Sequence, residues 1–284
     1  MLGSGTPVSY RLSLVFAALL FGCTLGCGGM PQLSAAGSKT AAPSPGIPSN
    51  AQTFTNLHQG PGWTGYALLP SGYSICQSCN PSGPQATWSM TQAVASPSLA
   101  GNSTRFDIGG TTPYADILWN NHLIGDFSSQ GLPDTGKTLN PATHNYIYDV
   151  QFYSSNMSAS QALEFDINQF VNGKSFIWGH ECRIAGGHEW DIWDNVNQKW
   201  LPTSVACNPV NNAWNHLVIQ VQRTSGDKLL FQSITLNGQT TTLNLTEDPT
   251  STTWYGITVN YQQDGNFSQQ SYSIWLDQVN FTYW

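Results

Sequence analysis

The stretch that decides the fold is Gln161–Phe170, which reads QALEFDINQF. Apolar and polar side chains alternate along it with a period of two, which indicates a β-strand buried on one side. The apolar face carries Leu163, Phe165 and Ile167. The polar face carries Glu164, Asp166 and Asn168. Such a strand needs a second apolar layer to pack against, so it predicts a layered β protein.

The same alternation recurs through the chain after residue 80. It is clearest in NYIYDVQF (Asn145–Phe152) and HLVIQVQR (His216–Arg223), and Asn237-Gly238 marks a turn between two such stretches. No helical stripe of three turns is present, although a short helix is an alternative around Asn120–Ile124. About ten to twelve strands with frequent turns predict an all-β fold, a two-sheet antiparallel sandwich whose apolar faces form one core.

The composition excludes several classes of protein. Only 9% of the 284 residues are charged, the net charge is −7, and 12% are aromatic. Nine Lys and Arg residues are too few to neutralise a nucleic-acid backbone, so no nucleic-acid partner is expected. A content of 40% hydrophobic residues allows a sizeable core and excludes disorder throughout. We expect a monomer.

The N-terminus has the features of an export signal. The apolar run Leu12–Gly22 follows Arg11, and its eleven residues are too short to span a bilayer as a helix. Leu20–Cys23 (LFGC) resembles the bacterial lipobox, which implies that Cys23 is lipidated and that the membrane is contacted only through this anchor. Cys27 is a second candidate. An ordinary signal peptide cleaved near Ala35-Ala36 is the alternative.

These features divide the chain into three parts. Residues 1–23 are predicted to be the signal peptide with its lipobox. Residues 24–52 are rich in Gly, Ser, Ala and Pro and predict a disordered tether. Residues 53–284 are predicted to form one β-sandwich domain. The mature protein is therefore expected in the bacterial cell envelope, or secreted.

Four cysteines fall in the predicted domain: Cys76, Cys79, Cys182 and Cys207. Export to an oxidising compartment favours disulfides, and four cysteines allow three pairings. The simplest is Cys76 with Cys79 and Cys182 with Cys207. Cys76 and Cys79 could instead form half of a zinc site.

Three stretches near the C-terminus carry a resemblance to a known superfamily. Trp214–Gln220 (WNHLVIQ), Phe231–Gly238 (FQSITLNG) and Ile274–Val279 (IWLDQV) resemble the C-terminal half of the concanavalin A-like lectin/glucanase jelly rolls, including laminin-G-type modules. The resemblance covers roughly residues 161–284. It implies a jelly-roll sandwich related to lectins, carbohydrate-binding modules, glycoside hydrolases and polysaccharide lyases. Such a likeness supports the fold more than the function.

Glu164 and Asp166 are the first candidate catalytic residues. The stretch Glu164–Gln169 resembles the ExDxxE signature of family 16 glucanases, which implies a nucleophilic role for Glu164 and an electrostatic role for Asp166. The chain departs from that signature at Gln169, which stands where the acid/base Glu would be and cannot donate a proton as an acid. Retaining glycosidases need two carboxyl groups about 5–5.5 Å apart. Glu181, or alternatively Glu189, on a neighbouring strand is the candidate replacement.

An alternative role for Glu164 and Asp166 involves no catalysis. Both carboxylates would then bind sugar hydroxyls, or pair with Arg183 or Arg223.

The densest run of aromatic and ionisable residues is Trp178–Asp194. Alternation places Trp178, His180 and Cys182 on one face of a strand over Phe176–Arg183, with Glu181 and Arg183 opposite. Aromatic faces stack on sugar rings while placed polar groups bind hydroxyls. The candidate carbohydrate-binding residues are therefore Trp178, His180, Trp190, Trp193 and Asn168, and Trp200 belongs to the same aromatic set. The alternative is that these rings fill the core.

No cofactor is required by these motifs, but two metal sites are alternatives. His180, His188 and His216 could converge on zinc, or act with Tyr148 in a lyase. A calcium ion could bind the oxygen-rich turn formed by Asp191, Asp194, Asn195 and Asn197.

Three functions follow from these observations. The first is an exported, lipid-anchored protein that binds a polysaccharide. The second is a polysaccharide-degrading enzyme, a glycoside hydrolase or a lyase, that uses Glu164 and Asp166 with a carboxylate from another strand. The third is a structural or adhesive surface protein.

Overall fold

The computed structural model describes residues 46–68, 86–125 and 139–284. The predicted signal peptide, Cys23, most of the tether and the pair Cys76 and Cys79 lie outside the described residues. The described part is all-β and two-layered, as predicted from the alternation. It contains two short 3-10 turns, Leu57–Gln59 and Met157–Ala159, beside its strands.

The described residues form seventeen strands. In chain order they are β1 (Gln52–Phe54), β2 (Trp63–Leu68), β3 (Ala86–Val94), β4 (Ser103–Gly110), β5 (Asp116–Gly125), β6 (Asn145–Ser154), β7 (Ser160–Val171), β8 (Lys174–Trp178), β9 (His180–Arg183), β10 (Glu189–Asp194), β11 (Lys199–Ala206), β12 (Trp214–Arg223), β13 (Leu229–Leu236), β14 (Gln239–Glu247), β15 (Thr250–Ser251), β16 (Gly256–Gly265) and β17 (Tyr272–Tyr283).

The strands form two antiparallel sheets. Sheet A has the order β14-β13-β12-β6-β17-β4-β3, and β1 pairs with β17. Sheet B has the order β11-β10-β9-β7-β16-β5-β2, and β8 pairs with both β7 and β15. Neighbours in space are mostly not neighbours in sequence, so the chain crosses repeatedly between the sheets. This connectivity is that of a jelly-roll type sandwich rather than of a simple meander.

The core lies between the sheets and is built from the apolar faces that the alternation predicts. In β6 the side chains of Tyr146, Tyr148, Val150 and Phe152 are all fully buried. They meet the apolar face of β7, where the ring of Phe165 lies 5.6 Å from that of Phe152. Because one face of β7 is committed to this core, its other face must point out of the sandwich.

Two local predictions are wrong. Asn120–Ile124 belongs to β5 and not to a helix, because this segment pairs along its length with β16 and β2. The segment Phe176–Arg183 is not one strand, because it is interrupted at Gly179 between β8 and β9. Its alternation nevertheless holds across the break.

The disulfide between Cys182 and Cys207 is confirmed. It joins β9 to the residue after β11, closing a loop with a sequence separation of 25, and its Cα atoms lie 5.6 Å apart. Both side chains are buried. The bond therefore ties the edge of sheet B, including β10, to the central strands. Among the described residues, no helix is long and apolar enough to cross a membrane.

Candidate functional site

The outer face of sheet B forms an open groove of about 670 Å³. Its floor is the polar face of β7, which carries Glu164, Asp166 and Asn168 as the alternation predicts. Strands β2, β5 and β16 extend the floor on one side. The segment around β15 and the β10–β11 hairpin form walls. The residues singled out first from the sequence therefore lie on the floor of this groove.

The floor is organised in rows that run across the strands. In one row, Asp191 lies opposite Glu181, Glu181 opposite Glu164, and Glu164 opposite Gln262. Directly opposed side chains in antiparallel strands have Cβ atoms about 4.5–5.5 Å apart. Three carboxyl groups on three adjacent strands, β10, β9 and β7, are thus brought side by side.

The neighbouring rows continue this polar surface. On one side of Glu164, Asp264 of β16 lies opposite Asp116 of β5. On the other side, Asp166 lies opposite Asn260, which lies opposite Asn120. The floor therefore changes along the strands from carboxyl groups to amides.

Amide side chains hold the central carboxyl groups in place. The Nε2 of Gln262 donates to Glu164 Oε1 at 2.6 Å and to Asp264 Oδ1 at 3.0 Å. The Nδ2 of Asn260 donates to Asp166 Oδ2 at 3.2 Å. The other oxygen of Asp166, Oδ1, accepts from the backbone N–H of His180 at 3.4 Å, so each of these carboxyl groups is held in a fixed position.

Burial raises the pKa of each central carboxyl group, since it penalises the charged form. The pKa of Glu164 lies well above its usual range because of burial, with the nearby charges of Asp264 and Asp166 adding to the shift. Burial raises the pKa of Asp166 to about 6, against the opposing hydrogen bond from Asn260. Burial thus favours the protonated form of Glu164, while Asp166, with a pKa of about 6, is mostly ionised at neutral pH.

The flanking carboxyl groups behave similarly. Burial, with the charges of Asp264 and Asp191, raises the pKa of Glu181 to about 8, although Arg183 opposes the shift. Burial raises the pKa of Asp116 to about 7 and that of Asp264 well above its usual range. Asp116 lines the groove, and Glu181 and Asp264 lie beside it; carboxyl groups with such shifts at a groove are typical of functional sites.

Arg183 does not neutralise Glu164 or Asp166. Its Nη2 donates to Glu189 at 3.1 Å and to Asp191 at 3.2 Å. Arg223 binds Asp227, as part of a separate ion pair. The alternative in which Arg183 or Arg223 pairs with the two floor carboxylates is therefore wrong. Glu189, bound to Arg183, is a poorer candidate acid than Glu181.

Gln169 lies in the core and not on the floor. The ladder between β7 and β16 runs without a bulge from Asp166 to Gln169, so residue 169 points to the opposite face. Its side chain is fully buried and donates to the carbonyl oxygen of Thr143 at 3.1 Å. A Glu at this position would also be buried, so the ExDxxE arrangement is not reproduced in this chain.

Aromatic side chains line the two walls of the groove. Trp193 of β10 and Trp200 of β11 pack against each other with ring centroids 5.2 Å apart. Trp254, in the connection between β15 and β16, is half exposed and packs edge-on against Phe170 at 5.3 Å. Tyr66 of β2 is exposed on the opposite side of the floor. The groove thus presents rings at both sides of its polar floor.

Three predicted carbohydrate-binding residues do not line the groove. Trp178, His180 and Trp190 are buried between the sheets with at most 1% of their surface exposed. The prediction of a binding role for them is wrong, because their strand positions alternate with those of the groove residues and so point inward. Trp193 and Asn168 do line the groove. Trp178 and Trp190 instead fill the core, which is the alternative given for them in the sequence analysis.

The three histidines proposed for zinc do not converge. His180 is buried in the core, where its Nδ1 contacts the carbonyl oxygen of Trp178 at 3.1 Å, and burial lowers its pKa to about 4. His188 is exposed at a turn. His216 lies on the outer face of sheet A and contacts Asp149 at 2.8 Å. Zinc binding by these residues, and lyase chemistry with the fully buried Tyr148, are both wrong.

The oxygen-rich turn satisfies its own side chains. Asp194 accepts hydrogen bonds from the backbone of Val196 and Asn197 and from the Asn197 side chain. Asn195 binds the backbone of Ile177 in both directions. Asp191 faces Arg183. Within the described ranges, no group of three or more His, Cys, Asp and Glu side chains is placed to hold a metal ion.

Several groove residues were not singled out from the sequence. Asn120 begins the segment Asn120–Ile124, for which the sequence leaves a helix as an alternative, and Asp116 lies just before that segment in the same strand, β5. Gln262 and Asp264 lie in β16, where the stretch NYQQDG (residues 260–265) carries polar residues on both faces, including the fully buried Gln263. A period of two alone cannot assign such a stretch to a face. Trp254 stands outside the strands and has no periodicity to place it.

Comparisons with known proteins give structural neighbours only. No family model and no curated protein matches the sequence. Among solved structures, lectin I of Ulex europaeus with a methyl glycoside of α-L-fucose is 11% identical, with 83% of this chain and 98% of that chain covered and a TM-score of 0.41.

Two further structures show the same range of similarity. A carbohydrate esterase from a Shiga toxin-encoding bacteriophage is 10% identical, with 82% of this chain and 98% of that chain covered and a TM-score of 0.44. A structure of carbohydrate-binding modules from the β-sandwich superfamily is 8% identical at a TM-score of 0.37, and 78% of this chain spans 56% of its length. The neighbours are thus β-sandwich proteins, but similarity at this level carries no argument about function.

Proposed function

We propose that the groove on sheet B binds a polysaccharide chain. The observation that carries the proposal is the combination of Trp193, Trp200 and Trp254 on the walls with carboxyl and amide groups on the floor of one open groove. Sugar rings offer apolar faces to aromatic rings, and their hydroxyl groups both donate and accept hydrogen bonds. A site with apolar walls and a few fixed polar groups meets both requirements.

We further propose that the protein is exported and anchored by lipid at Cys23, as a bacterial envelope protein of the concanavalin A-like type. The sequence of the leader supports the first part, and the two-sheet topology is consistent with the second. A flexible tether would leave the groove free to engage a glycan at a distance from the membrane.

Retention of the full chain in native gels that contain a polysaccharide tests binding. We expect retardation by at least one member of a panel of β-glucans, xylans, mannans and amino-sugar polymers. We also expect the retardation to be lost in a variant with Trp193→Ala and Trp254→Ala. Migration unchanged by every member of the panel would contradict the proposal.

Glycoside hydrolysis is a second candidate function, favoured by the placement of Glu164 opposite Glu181. Their Cβ spacing as a cross-strand pair, about 4.5–5.5 Å, is compatible with the 5–5.5 Å between carboxyl groups in retaining enzymes. Asp166, two residues along β7, offers a further carboxylate about 7 Å from Glu164 along the strand.

The protonation states suggest roles for these groups. A protonated Glu164 or Glu181 can donate a proton to the glycosidic oxygen, because burial raises the pKa of both. Asp166, with a pKa of about 6, is the group most often ionised at neutral pH and is the candidate to stabilise or attack the anomeric carbon. Gln262 and Asn260 then act as positioning residues for Glu164 and Asp166.

Release of new reducing ends from the retained polysaccharide tests hydrolysis. We expect release by the parent chain and by an Asp149→Asn control on sheet A, and a loss of at least a hundredfold with Glu164→Gln. Retention without any release would leave binding as the function and contradict hydrolysis. Equal release by the Glu164→Gln variant would remove Glu164 from the mechanism.

A further inference from the structure

The groove and the strand positions directly beside it carry more carboxyl groups than binding or hydrolysis of a neutral sugar requires. Hydrolysis uses two or three of them, Glu164 with Glu181 or Asp166. Asp116 and Asp264 remain without a role: Asp116 lines the groove and is intermediate in exposure, and Asp264, directly opposite it on β16, is 5% exposed. Burying like charges side by side is costly unless a positive group or a proton compensates them.

In the part of the chain that the structure describes, Lys and Arg side chains do not provide this compensation for Asp116, Glu164 or Asp264. Arg183 is the cation that faces the cluster, and it is already bound to Glu189 and Asp191. Among the described residues the other ion pairs of Lys and Arg lie elsewhere, on Arg105, Lys174, Arg223 and Lys228. In the free protein the carboxyl groups are therefore compensated by protons, which is consistent with the raised pKa values of Asp116, Glu164, Glu181 and Asp264.

A metal ion is a poorer fit than a cationic ligand. The carboxyl groups are spread over five strands in two rows, and no three of them within the described residues converge as metal ligands would. A row of charges along a groove instead matches a ligand that carries its charges at intervals along a chain.

A second feature also points to a ligand that donates hydrogen bonds. Asn168 lies on the floor beside Asp166 and is 96% buried, since its exposed fraction is 4%. Its Nδ2 donates to Thr258 at 3.0 Å, while its Oδ1 has no partner. A buried acceptor without a donor is costly, and an N–H group of a ligand that reaches the floor would satisfy it.

We propose that the groove selects a glycan that carries protonated amines, a polymer of glucosamine or another amino sugar, over neutral and polyanionic glycans. This inference rests on the proposed function of the groove. The ammonium groups of the ligand take the place of the protons shared among the floor carboxyl groups, while its rings stack on the walls. Polyuronates are excluded because they bring no cation to the carboxyl groups and their own carboxylates would approach the ionised Asp166.

Binding of oligosaccharides of equal length to the full chain tests the proposal. The probes are an oligomer of glucosamine, the same oligomer fully N-acetylated, a neutral β-glucan oligomer and an oligogalacturonate, compared by calorimetry at about pH 6, where the amines are protonated. We expect the glucosamine oligomer to bind at least tenfold more tightly than its N-acetylated form, with an affinity that falls as salt rises. We expect no binding of the oligogalacturonate.

Variants and controls separate a specific site from general attraction to an acidic protein. Asp116→Asn with Asp264→Asn is expected to reduce the amine preference at least threefold, while Asp149→Asn on the outer face of sheet A is expected to leave it unchanged. An oligolysine of the same charge is expected to bind more weakly than the glucosamine oligomer, because it lacks rings for the walls. The salt dependence of the parent chain tests the proposal even where the double variant does not fold.

The outcomes distinguish this inference from the proposed function. Equal affinity for the amine and N-acetyl forms, or binding of the oligogalacturonate, would overturn the inference and leave polysaccharide binding in place. Oligolysine binding as tight as that of the glucosamine oligomer, or stoichiometric binding of Ca²⁺ alone that blocks the sugar, would also overturn it. No binding of any glycan would overturn both.

Discussion

At the scale of single residues, glycan binding depends on which side chains reach the groove. Trp254 is the clearest test, because it is half exposed and touches Phe170 at its edge, so its removal leaves the core intact. We predict that Trp254→Ala lowers glycan affinity about tenfold, which corresponds to about 1.4 kcal/mol of binding free energy. Truncation of a Trp that dominates a binding site typically costs more than this. Calorimetry with the retained glycan measures the loss of affinity.

The matched control for this variant is Phe267→Ala. Phe267 is also exposed, at 72%, but it contacts Tyr114 away from the groove. Its removal should leave affinity unchanged. Equal losses for both variants would show that exposed aromatic area, and not the groove, governs binding.

Gly179 provides a second prediction at this scale, because it allows the tryptophan pair to pack closely on the groove wall. A Cβ at this position would lie 2.8 Å from the Cβ of Trp193 and 3.1 Å from the ring of Trp200. Gly179→Ala should displace both rings, weaken glycan binding at least threefold and cost about 1–3 kcal/mol of stability through overpacking. If glycan affinity is unchanged while the urea midpoint falls, Trp193 and Trp200 do not belong to the glycan-binding surface.

How far the sequence predicts the site can also be seen residue by residue. The alternation in β7 correctly predicted that Glu164, Asp166 and Asn168 share the outer face. The same rule, applied to Trp178 and His180, correctly predicted that they share a face but could not say which face is the core. That choice depends on the partner sheet, and the inward face of β9 is fixed by contacts such as that of His180 with Phe231 of β13.

At the scale of elements, the disulfide holds the strands that carry one wall. Cys182 is in β9 and Cys207 follows β11, so the bond limits how far the β10–β11 hairpin can separate from sheet B. We predict that Cys182→Ala with Cys207→Ala lowers the free energy of unfolding by about 3 kcal/mol. Urea unfolding with and without reductant checks this, and the parent chain in reductant is expected to approach the variant. Identical midpoints for parent and variant without reductant would contradict it.

The row of carboxyl groups across β10, β9, β7, β16 and β5 predicts an unusual pH dependence of stability. A carboxyl group whose pKa is raised by folding binds a proton in the native state that the unfolded chain has lost, so stability falls as pH rises toward the native pKa. Because the unfolded carboxyl groups ionise at about pH 4 and the native pKa values are about 7 for Asp116 and about 8 for Glu181, this loss begins at about pH 4 and continues to about pH 8. The buried His180 does not oppose it there, because its pKa of about 4 affects stability only below its unfolded value.

We therefore predict a higher urea midpoint at pH 6.5 than at pH 8. The difference should shrink in a variant with Asp116→Asn and Glu181→Gln, because these groups no longer titrate. Asp149→Asn, which changes an exposed carboxylate of sheet A, is the control and should keep the difference. A midpoint that rises between pH 6.5 and 8 in the parent chain would contradict the protonated floor.

The elements also show why sequence predicts some strands and not others. β6 and β12 alternate strictly because one face is core and the other is solvent, and both were predicted. β5 and the C-terminal half of β16 have a polar groove on one side and buried polar residues such as Asn121 and Gln263 on the other, whereas the N-terminal half of β16 falls within the predicted strand Trp254–Tyr261. Their polar residues occur on both faces, so the pattern that identifies a strand is lost.

At the scale of the whole molecule, the two sheets of the sandwich share one core but differ in their outer faces. The inner faces form one core, and the outer face of sheet B carries the groove between its two walls. From Trp193 in β10 to Thr64 in β2 the floor crosses six strands, and at about 4.8 Å per neighbouring pair this spans about 24 Å. A groove of this length, open to solvent, suits a chain rather than a single sugar.

The length of the floor predicts how glycan affinity depends on the length of the ligand. Affinity should rise as the oligosaccharide is lengthened and level off once the ligand spans about 24 Å. Calorimetry with a series of oligomers measures the dependence. Full affinity for a monosaccharide or disaccharide would contradict binding along the groove.

The sandwich itself was predictable from the sequence, because the alternation of a few strands suffices to fix two layers. The location of the groove was not, because it depends on the order in which non-adjacent strands pair. Asp116, Glu164 and Glu181 are far apart in the chain and meet only because β5, β16, β7 and β9 are neighbours in sheet B.

Oxidative footprinting of tryptophan side chains, with and without the retained glycan, tests most directly whether a glycan occupies the groove on sheet B. We predict that the glycan protects Trp193, Trp200 and Trp254 from oxidation. Trp214 and Trp275, which flank Tyr153 on the outer face of sheet A, should react equally in both samples. Protection of Trp214 and Trp275 with none in the groove, or no protection at all, would contradict it.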